Sequence, residues 1–218
     1  MTVTGIIELS KTRCKVEIDD QFAFVLYKGE LSLYHIREGH DIPEDDYHII
    51  MEEMLPKRAR LRAMNLLKTK EYTTHQLREK LKQGLYPEQI VEDALTYVAS
   101  FRYIDDLRYA LDYITSHEDV RSQRRIEQDL LQKGIEHDTI RQAWYQWEAN
   151  GGKQDELLMI QTLLDKKHYN AATADYKEKQ RIYAFLLRKG FTSSTISRAL
   201  STSSSLGGCD EFETDPFE

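Results

Sequence analysis

Apolar residues along most of this chain recur at intervals of three and four, the spacing that places them on one face of an α-helix. Three segments share one pattern: a leucine, then a glycine, then an apolar residue, and an isoleucine six positions after the glycine. The copies occupy residues 81–90, 130–140 and 186–196. Their glycines recur at intervals of roughly 50 residues, which is typical of tandem structural repeats.

Each copy contains the elements of a three-helix unit. A second apolar signature with helical spacing precedes each leucine, as in Ala63, Leu66 and Leu67. A third signature follows each glycine, as in Ile140 and Ala143. Glycine directly after an amphipathic run is the usual left-handed end of a helix, so each glycine is predicted to end one helix and precede the next.

The first part of the chain follows a different period. Alternating apolar residues over 13–18 and 22–26, separated by a short polar stretch, predict a β-hairpin, and residues 3–9 are a candidate third strand. Pro43 and Glu44 then favour a helix start. Pro56 is predicted to end that helix and to begin the next one.

These patterns predict a mainly α protein in which three tandem three-helix repeats form an elongated body, with a small N-terminal β-hairpin or sheet as an extension. The Ser/Gly-rich and then acidic C-terminal residues are predicted to be disordered. The predicted boundaries are 1–56 for the β-rich extension with its acidic helix, 57–104, 105–152 and 153–203 for the three repeats, and 204–218 for the tail.

Cysteine usage and hydropathy bear on the compartment. The two cysteines, Cys14 and Cys209, lie far apart in unlike segments, so the sequence offers neither a disulfide framework nor a metal-type cysteine spacing. No stretch approaches the ~20 apolar residues needed to span a bilayer, and the first residues lack a signal peptide's basic and apolar regions. We therefore expect a soluble cytoplasmic protein.

The formal net charge of −7 is distributed unevenly along the 218 residues. Residues 1–56 contain five basic and twelve acidic residues, and 206–218 contain five acidic residues and no basic one. The helical part between them has 25 basic and 20 acidic residues. A basic body with acidic ends is compatible with a polyanionic partner, although the net charge alone is not.

Catalytic motifs are absent from the sequence. It contains no Gly-rich phosphate loop, no nucleophile elbow and no paired histidines with metal spacing. Asp105 and Asp106 are the best carboxylate pair, but Asp105 directly precedes a helical segment, where capping of free amides is favoured over acid–base chemistry. The sequence therefore predicts no enzyme, no cofactor and no metal site.

The basic residues Arg121, Arg124 and Arg125 carry more information. Their spacing of i, i+3 and i+4 predicts a cationic ridge on one helix, directed away from the apolar stripe of Ile126 and Leu130. Like charges on one helical face repel one another unless an anion is bound. The ridge is therefore a candidate binding surface for a partner or for DNA, although a solvated face is the alternative.

Weaker candidates extend this surface. Lys133 and Lys189 precede the glycines of the second and third copies, where the helix dipole alone also accounts for a cation. Arg78 and Lys82 share a helical face in the first repeat, and Arg108 lies at the start of the second. These residues add a basic stripe to the predicted array.

Two further sets of residues have alternative interpretations. The interleaved basic segment 57–62 fits either a solvated helix face or a phosphate contact. Tyr113, Tyr145 and Tyr183 fall near apolar stripes, so packing is favoured over base stacking for them.

Two signatures are similar to those of a known family. The first is the segment Phe101-Arg102-Tyr103-Ile104-Asp105-Asp106-Leu107-Arg108-Tyr109-Ala110, which resembles an aromatic-Ile/Leu-Asp-Asp-x-x-aromatic-Ala motif. The second consists of Arg125-Ile126, Leu130 and Lys133-Gly134-Ile135. On these residues the chain, over about 5–200, resembles the RecX family of regulatory proteins, modulators of the RecA recombinase. Residues 19–24 also look like the sheet-forming extension found in part of that family.

The resemblance implies a curved array of three-helix repeats that lodges in the groove of the RecA nucleoprotein filament. It implies a regulator that limits filament extension, ATP hydrolysis and strand exchange without catalysis of its own. We expect the protein to be a monomer. Two other hypotheses compete with this one. The first competitor is a stand-alone protein that binds single- or double-stranded DNA by phosphate contacts. The second is a carboxylate-dependent hydrolase using Asp105 and Asp106, which the capping role makes the weakest of the three.

Overall fold

A computed structural model describes residues 1–171 and 173–205, with side chains as far as Ser201. By its contacts the chain divides into two units, the first formed by Met1–Tyr109 with Lys133–Ile135 and the second by Ala110–Gln132 with Glu136–Glu218. The predicted acidic tail lies outside the described residues from 206 onward.

The first unit begins with a three-stranded antiparallel sheet in the order β1-β2-β3, formed by Val3–Glu8, Arg13–Ile18 and Gln21–Tyr27. In β2 the residues Cys14, Val16 and Ile18 are buried, and their intervening neighbours are only half-buried. Asp19 and Asp20 both have positive φ, as a tight hairpin turn between twisted strands requires. The predicted hairpin and third strand are therefore confirmed.

Helical segments follow the sheet, and the chain stays helical from α2 through Pro56. After α1 (Lys28–Leu33) and α2 (Glu44–His48), a π-helical turn at Ile49–Met54 leads directly into α3 (Leu55–Leu67). Pro56 lies in the first turn of α3, where its missing N–H removes no required hydrogen bond. Pro56 lies at the start of α3, as predicted, but it does not end a separate helix, because the wider π-helical turn leads directly into α3.

From α3 onward, the described chain forms three successive sets of three helices. This arrangement confirms the prediction of a mainly α fold with tandem three-helix repeats and a small N-terminal sheet. The sets are α3, α4 (Thr74–Gln83) and α5 (Glu88–Ser100); α6 (Asp106–His117), α7 (Gln123–Gln132) and α8 (His137–Ala149); and α9 (Glu156–Lys166), α10 (Tyr176–Arg188) and α11 (Ser193–Ser205).

The cores lie where the apolar stripes of the sequence place them. In the first unit the buried face of the sheet, including Val16 and Phe24, shares one core with the first set of helices, including Leu81. The third set has a separate core that includes Ile160 and Leu186. Burial of these side chains is the main source of stability for helices of this length.

The glycine pattern has a different register in the first repeat. Gly134 and Gly190 have φ of +80° and +92°, whereas Gly84 has φ of −75° and the left-handed residue is Leu85, with φ of +61°. Counted from the buried leucine of each copy, Leu85 is therefore the equivalent of the two glycines. The prediction that Gly84 is a left-handed terminator was wrong, because matching by residue type shifted this copy by one position.

A hydrogen bond of one type recurs at two helix starts. Thr73, before α4, accepts from the amide of Gln76 at 3.2 Å and donates its hydroxyl to the carbonyl oxygen of Lys133 at 2.6 Å. Ser122, before α7, donates in the same way to the carbonyl oxygen of Lys189 at 3.0 Å. In each case the hydroxyl at the N-terminus of one helix fixes the backbone just before a left-handed glycine.

Candidate functional site

A cation-lined cleft of about 560 Å³ lies within the second unit, where the segment before α7 meets the C-terminal end of α10. The hydrogen bond from Ser122 to the carbonyl of Lys189 holds these two segments together. We call this the junction cleft. Its lining residues are Val120, Arg121, Ser122, Arg125, Leu163, Phe185, Arg188, Lys189 and Phe191.

Two of the predicted arginines line the junction cleft, and a buried carboxylate holds both of them. Asp129, on α7, is 7% exposed and forms ion pairs with Arg121 and with Arg125, the latter at 3.0 Å. Arg121 also donates to the hydroxyl of Tyr113 at 2.6 Å. A buried carboxylate with two guanidinium partners satisfies its charge and fixes both arginine side chains.

The predicted helical ridge was wrong in its geometry. Arg121 lies two positions before the first residue of α7, so only Arg124 and Arg125 are on the helix. Repulsion among the three charges was expected to favour a bound anion. Asp129 supplies that anion within the fold, because residues four apart on a helix are neighbours, as Arg125 and Asp129 are.

Arg124 differs from the two arginines beside it. It is exposed, and within the part of the chain that the structure describes it has no carboxylate partner. It lies outside the lining of the junction cleft, in the first turn of α7. Its charge is therefore available to a ligand that covers the N-terminal end of this helix.

The other side of the junction cleft combines cations with an aromatic ring. Arg188 is the last residue of α10, and Lys189 is its C-cap. Lys167 and Lys189 lie over the ring of Phe185, with their ammonium nitrogens 4.5 and 5.7 Å from its centroid. The cleft thus presents positive charge around an apolar floor, with Val120 exposed at its edge.

Among the weaker candidates, Lys189 lines the junction cleft, whereas Arg78, Lys82, Arg108 and Lys133 do not. Arg78 forms two hydrogen bonds, of 2.8 and 2.9 Å, to the carboxylate of Glu92. These bonds lower the pKa of Glu92 below its ordinary value. Lys82 pairs with Glu88 at 2.9 Å. Both cations therefore have partners within the fold.

Lys133 and Arg108 belong to the first unit. The ammonium group of Lys133 lies 5.7 Å from the ring centroid of Tyr109, and the residue follows the end of α7 rather than lying in its last turn. The side chain of Arg108 is exposed, and within the described residues its hydrogen bond is to the carbonyl oxygen of Arg102, at 3.4 Å. Arg108 is thus the more accessible of the two cations.

The carboxylate pair has a structural role. Asp105 accepts a hydrogen bond from the amide of Arg108 at 3.0 Å, which confirms the predicted cap at the start of α6. Asp106 accepts from the amide of Thr74 at 2.8 Å, at the start of α4. Each carboxylate therefore satisfies a free helical amide.

An aromatic surface was missed at the end of α5. Phe101 and Tyr103 are both more than half exposed and stack with ring centroids 5.8 Å apart, and Tyr97 contacts Phe101 at 5.0 Å. The left-handed Arg102 between them turns the chain there. Tyr145, for which packing was predicted, is 73% exposed, because its position falls beside rather than on the buried stripe of α8.

The described residues contain neither a membrane-spanning helix nor a candidate metal site. None of the helices they form is long and apolar enough to cross a membrane. No group of three or more histidine, cysteine, aspartate or glutamate side chains among them is arranged to hold a metal ion.

Known proteins resemble this chain over most of its length. Family models of the first, second and third three-helix domains of RecX match residues 59–97, 105–143 and 154–200. Regulatory protein RecX of Caldanaerobacter subterraneus subsp. tengcongensis is 27% identical over 92% of this chain and 98% of the relative. Regulatory protein RecX of Neisseria meningitidis serogroup B is 34% identical over 66% of this chain and 90% of the relative.

Two solved structures share the fold. A crystal structure of regulatory protein RecX superposes with a TM-score of 0.60 at 23% identity, covering 92% of this chain and 98% of that one. A structure of RecX from Lactobacillus salivarius superposes with a TM-score of 0.59 at 19% identity, covering 70% and 98%. With three matching domain models and relatives aligned over most of their length, the chain belongs to the RecX family of regulatory proteins.

Proposed function

We propose that this protein binds the RecA recombinase filament and limits its extension, its ATP hydrolysis and its strand exchange, and so modulates DNA repair and recombination. Membership of a family of regulatory proteins supports a regulatory role. The observation that carries the proposal at the level of residues is the junction cleft, in which fixed arginines surround an apolar floor. On this account the protein acts by occupying a surface and has no catalytic step.

The character of the cleft favours a protein partner. Arginine and aromatic side chains in a desolvated pocket are the residue types that dominate protein interfaces. Asp129 already neutralises part of the charge of Arg121 and Arg125 and holds both side chains in place. Because these side chains are ordered before binding, less conformational entropy is lost when a partner docks. An acidic segment with an apolar residue fits such a cleft.

The test uses RecA with single-stranded DNA and the full-length chain. We expect the rate of ATP hydrolysis by RecA to fall as the protein is added, at protein concentrations that give no measurable binding to the same DNA without RecA. Unchanged ATP hydrolysis at saturating protein would contradict the proposed regulation of RecA.

A second candidate function is direct competition for single-stranded DNA. The observation that favours it is the stacked, exposed pair of Phe101 and Tyr103 beside two exposed arginines, Arg102 and Arg108. Exposed aromatic rings next to cations are the elements of sequence-independent single-strand binding.

Salt dependence separates the two candidates. Binding carried by phosphate contacts weakens steeply as ionic strength rises and does not require RecA. The second candidate therefore predicts that the protein binds DNA alone, and that suppression of ATP hydrolysis and DNA binding decline together between two salt concentrations. Suppression that persists after DNA binding by the protein alone is lost would favour the first candidate.

A further inference from the structure

A second cation-lined cavity lies in the first unit, between the N-terminal sheet and the first set of helices. Its volume is about 440 Å³, within the range of small-ligand sites. We call it the N-terminal cavity. Its lining residues are Arg13, Val25, Leu26, Tyr27, Arg58, Arg62, Lys80, Gln83, Gly84, Leu85 and Tyr86.

The fold collects four cations at this cavity from separate elements. Arg13 is on β2, Arg58 and Arg62 are on α3, and Lys80 is on α4, while none of the lining residues is acidic. Among the described residues, Arg58 is the one of these four cations with a carboxylate partner, which is Glu30. Within the described residues the other three cations have no carboxylate partner, so positive charge at the cavity is not compensated.

Several of these groups are held in place before any ligand binds. Arg13 donates to the carbonyl oxygen of Gly84 at 2.7 Å. Arg58 pairs with Glu30 and lies over the ring of Tyr27, 4.8 Å from its centroid. Since each guanidinium has five N–H donors, both retain donors for a ligand.

The side chain of Tyr86 lines the same cavity as the four cations. Burial raises the pKa of Tyr86, and the opposing influence of Arg58, Arg13 and Arg62 reaches the same phenol. Its hydroxyl makes no hydrogen bond within the described residues, so it is a further donor at the cavity.

The adjacent backbone is strained. Leu85 lines the cavity in a left-handed conformation, with φ of +61°, although the other two repeats have glycine at the equivalent position. A left-handed conformation is unfavourable for a residue that has a Cβ atom. Strained non-glycine residues cluster at functional sites, where the surrounding structure holds them.

We infer that the N-terminal cavity binds a phosphate group, held by Arg13, Arg62 and Lys80. Phosphate oxygens accept hydrogen bonds from guanidinium, ammonium and phenol groups, and guanidinium donates to them in pairs. The junction cleft differs because a buried carboxylate already binds two of its arginines. The phosphate can belong to a free anion or to a nucleic acid strand, and both present the same group. This inference does not depend on the proposed regulation of RecA.

The test is isothermal titration calorimetry of the full chain with two probes, inorganic phosphate and a short oligothymidylate. The test variant is Arg62→Glu, because Arg62 is exposed and forms no ion pair among the described residues. The matched control is Lys57→Glu, an equal charge change at an exposed position of the same helix that does not line the cavity. The neutral variant Arg62→Gln separates loss of a ligand contact from charge repulsion.

We expect saturable binding of at least one probe, weakened about tenfold or more by Arg62→Glu and to a lesser extent by Arg62→Gln. Lys57→Glu should leave the dissociation constant nearly unchanged. If Arg62→Glu weakens binding of inorganic phosphate, a free anion is a sufficient ligand. If only the oligothymidylate binds and Arg62→Glu weakens that binding, the ligand is a nucleic acid strand. Absence of saturable binding to both probes, or equal weakening by Arg62→Glu and Lys57→Glu, would overturn the inference.

Discussion

At the residue scale, one carboxylate determines how the basic side chains around α7 are arranged. Asp129 binds Arg121 and Arg125, which therefore reach the junction cleft as parts of an ion network rather than as free charges. Arg124, which directly precedes Arg125, is exposed to solvent and has no such partner among the described residues. Three arginines that look equivalent in the sequence thus have two different roles.

The network predicts a stability difference. Asp129→Asn removes the charge that both arginines bind, and we expect it to lower the free energy of unfolding by about 2 kcal/mol. The control is Asp138→Asn, because the Asp138 to Arg141 ion pair is highly exposed and surface pairs contribute about 1 kcal/mol or less. Urea unfolding measures both variants, and equal losses would contradict the structural role of Asp129.

A second prediction at this scale concerns pH. Hydrogen bonds from Arg78 lower the pKa of Glu92 in the folded protein, so the pair contributes stability above the unfolded pKa of a glutamate. That contribution is lost as the pH falls through the folded pKa. Arg78→Ala should therefore raise the pKa of Glu92 in an NMR titration of side-chain carboxyls, and the stability difference from the wild type should disappear on acidification. A Glu92 titration unaffected by the change would rule out the pairing.

At the element scale, the recurring contact between a helix start and a left-handed glycine organises the repeats. Gly134 shows how close this approach is, because a Cβ atom added there would lie 2.2 Å from the side chain of His75. The same glycine has φ of +80°. The close approach of His75 and the positive φ therefore both require glycine at position 134.

This contact predicts unequal effects of two glycine substitutions. Gly134→Ala adds a steric clash to the conformational strain, whereas Gly151→Ala, at φ of +90° with nothing within 4 Å, adds strain alone. We expect Gly134→Ala to lower the free energy of unfolding by about 1–3 kcal/mol more than Gly151→Ala. Thermal or urea unfolding gives the comparison, and similar losses in the two variants would show that the close approach has no energetic effect.

Periodicity explains which elements were predictable. The hairpin, the helices and the cap formed by Asp105 follow from residues close in sequence, and the structure contains them. The register at Leu85 did not follow, because a left-handed leucine has no signature in a sequence pattern. The continuity of the helical chain at Pro56 was also missed, because a proline in the first turn of a helix is equally a signal that the preceding helix has ended.

At the scale of the whole molecule, net charge summed over a segment is a poor guide to the surface it forms. Residues 1–56 contain more than twice as many acidic as basic residues, yet Arg13 from that segment lines a cavity with basic residues of α3 and α4. The junction cleft likewise joins cations from the start of α7 and the end of α10. Spacing along the chain identified candidate cations but not which of them meet, because that depends on packing between distant elements.

The cleft is central to the proposed regulation, and one of its cations can be changed without breaking an ion pair. Arg188 is exposed at the end of α10 and has no carboxylate partner among the described residues. Lys177, on the same helix, is also exposed and lies outside the cleft, so Lys177→Glu is a matched control for Arg188→Glu. Both changes alter the net charge equally.

The most direct measurement is the concentration of each protein that halves ATP hydrolysis by RecA on single-stranded DNA. The wild type and Lys177→Glu should act at similar concentrations, whereas Arg188→Glu should require about tenfold more protein, because a reversed charge in the cleft repels an acidic partner surface. Equal suppression by all three proteins would contradict the assignment of the cleft as the RecA-binding surface, and absence of suppression by the wild type would contradict the regulatory function itself.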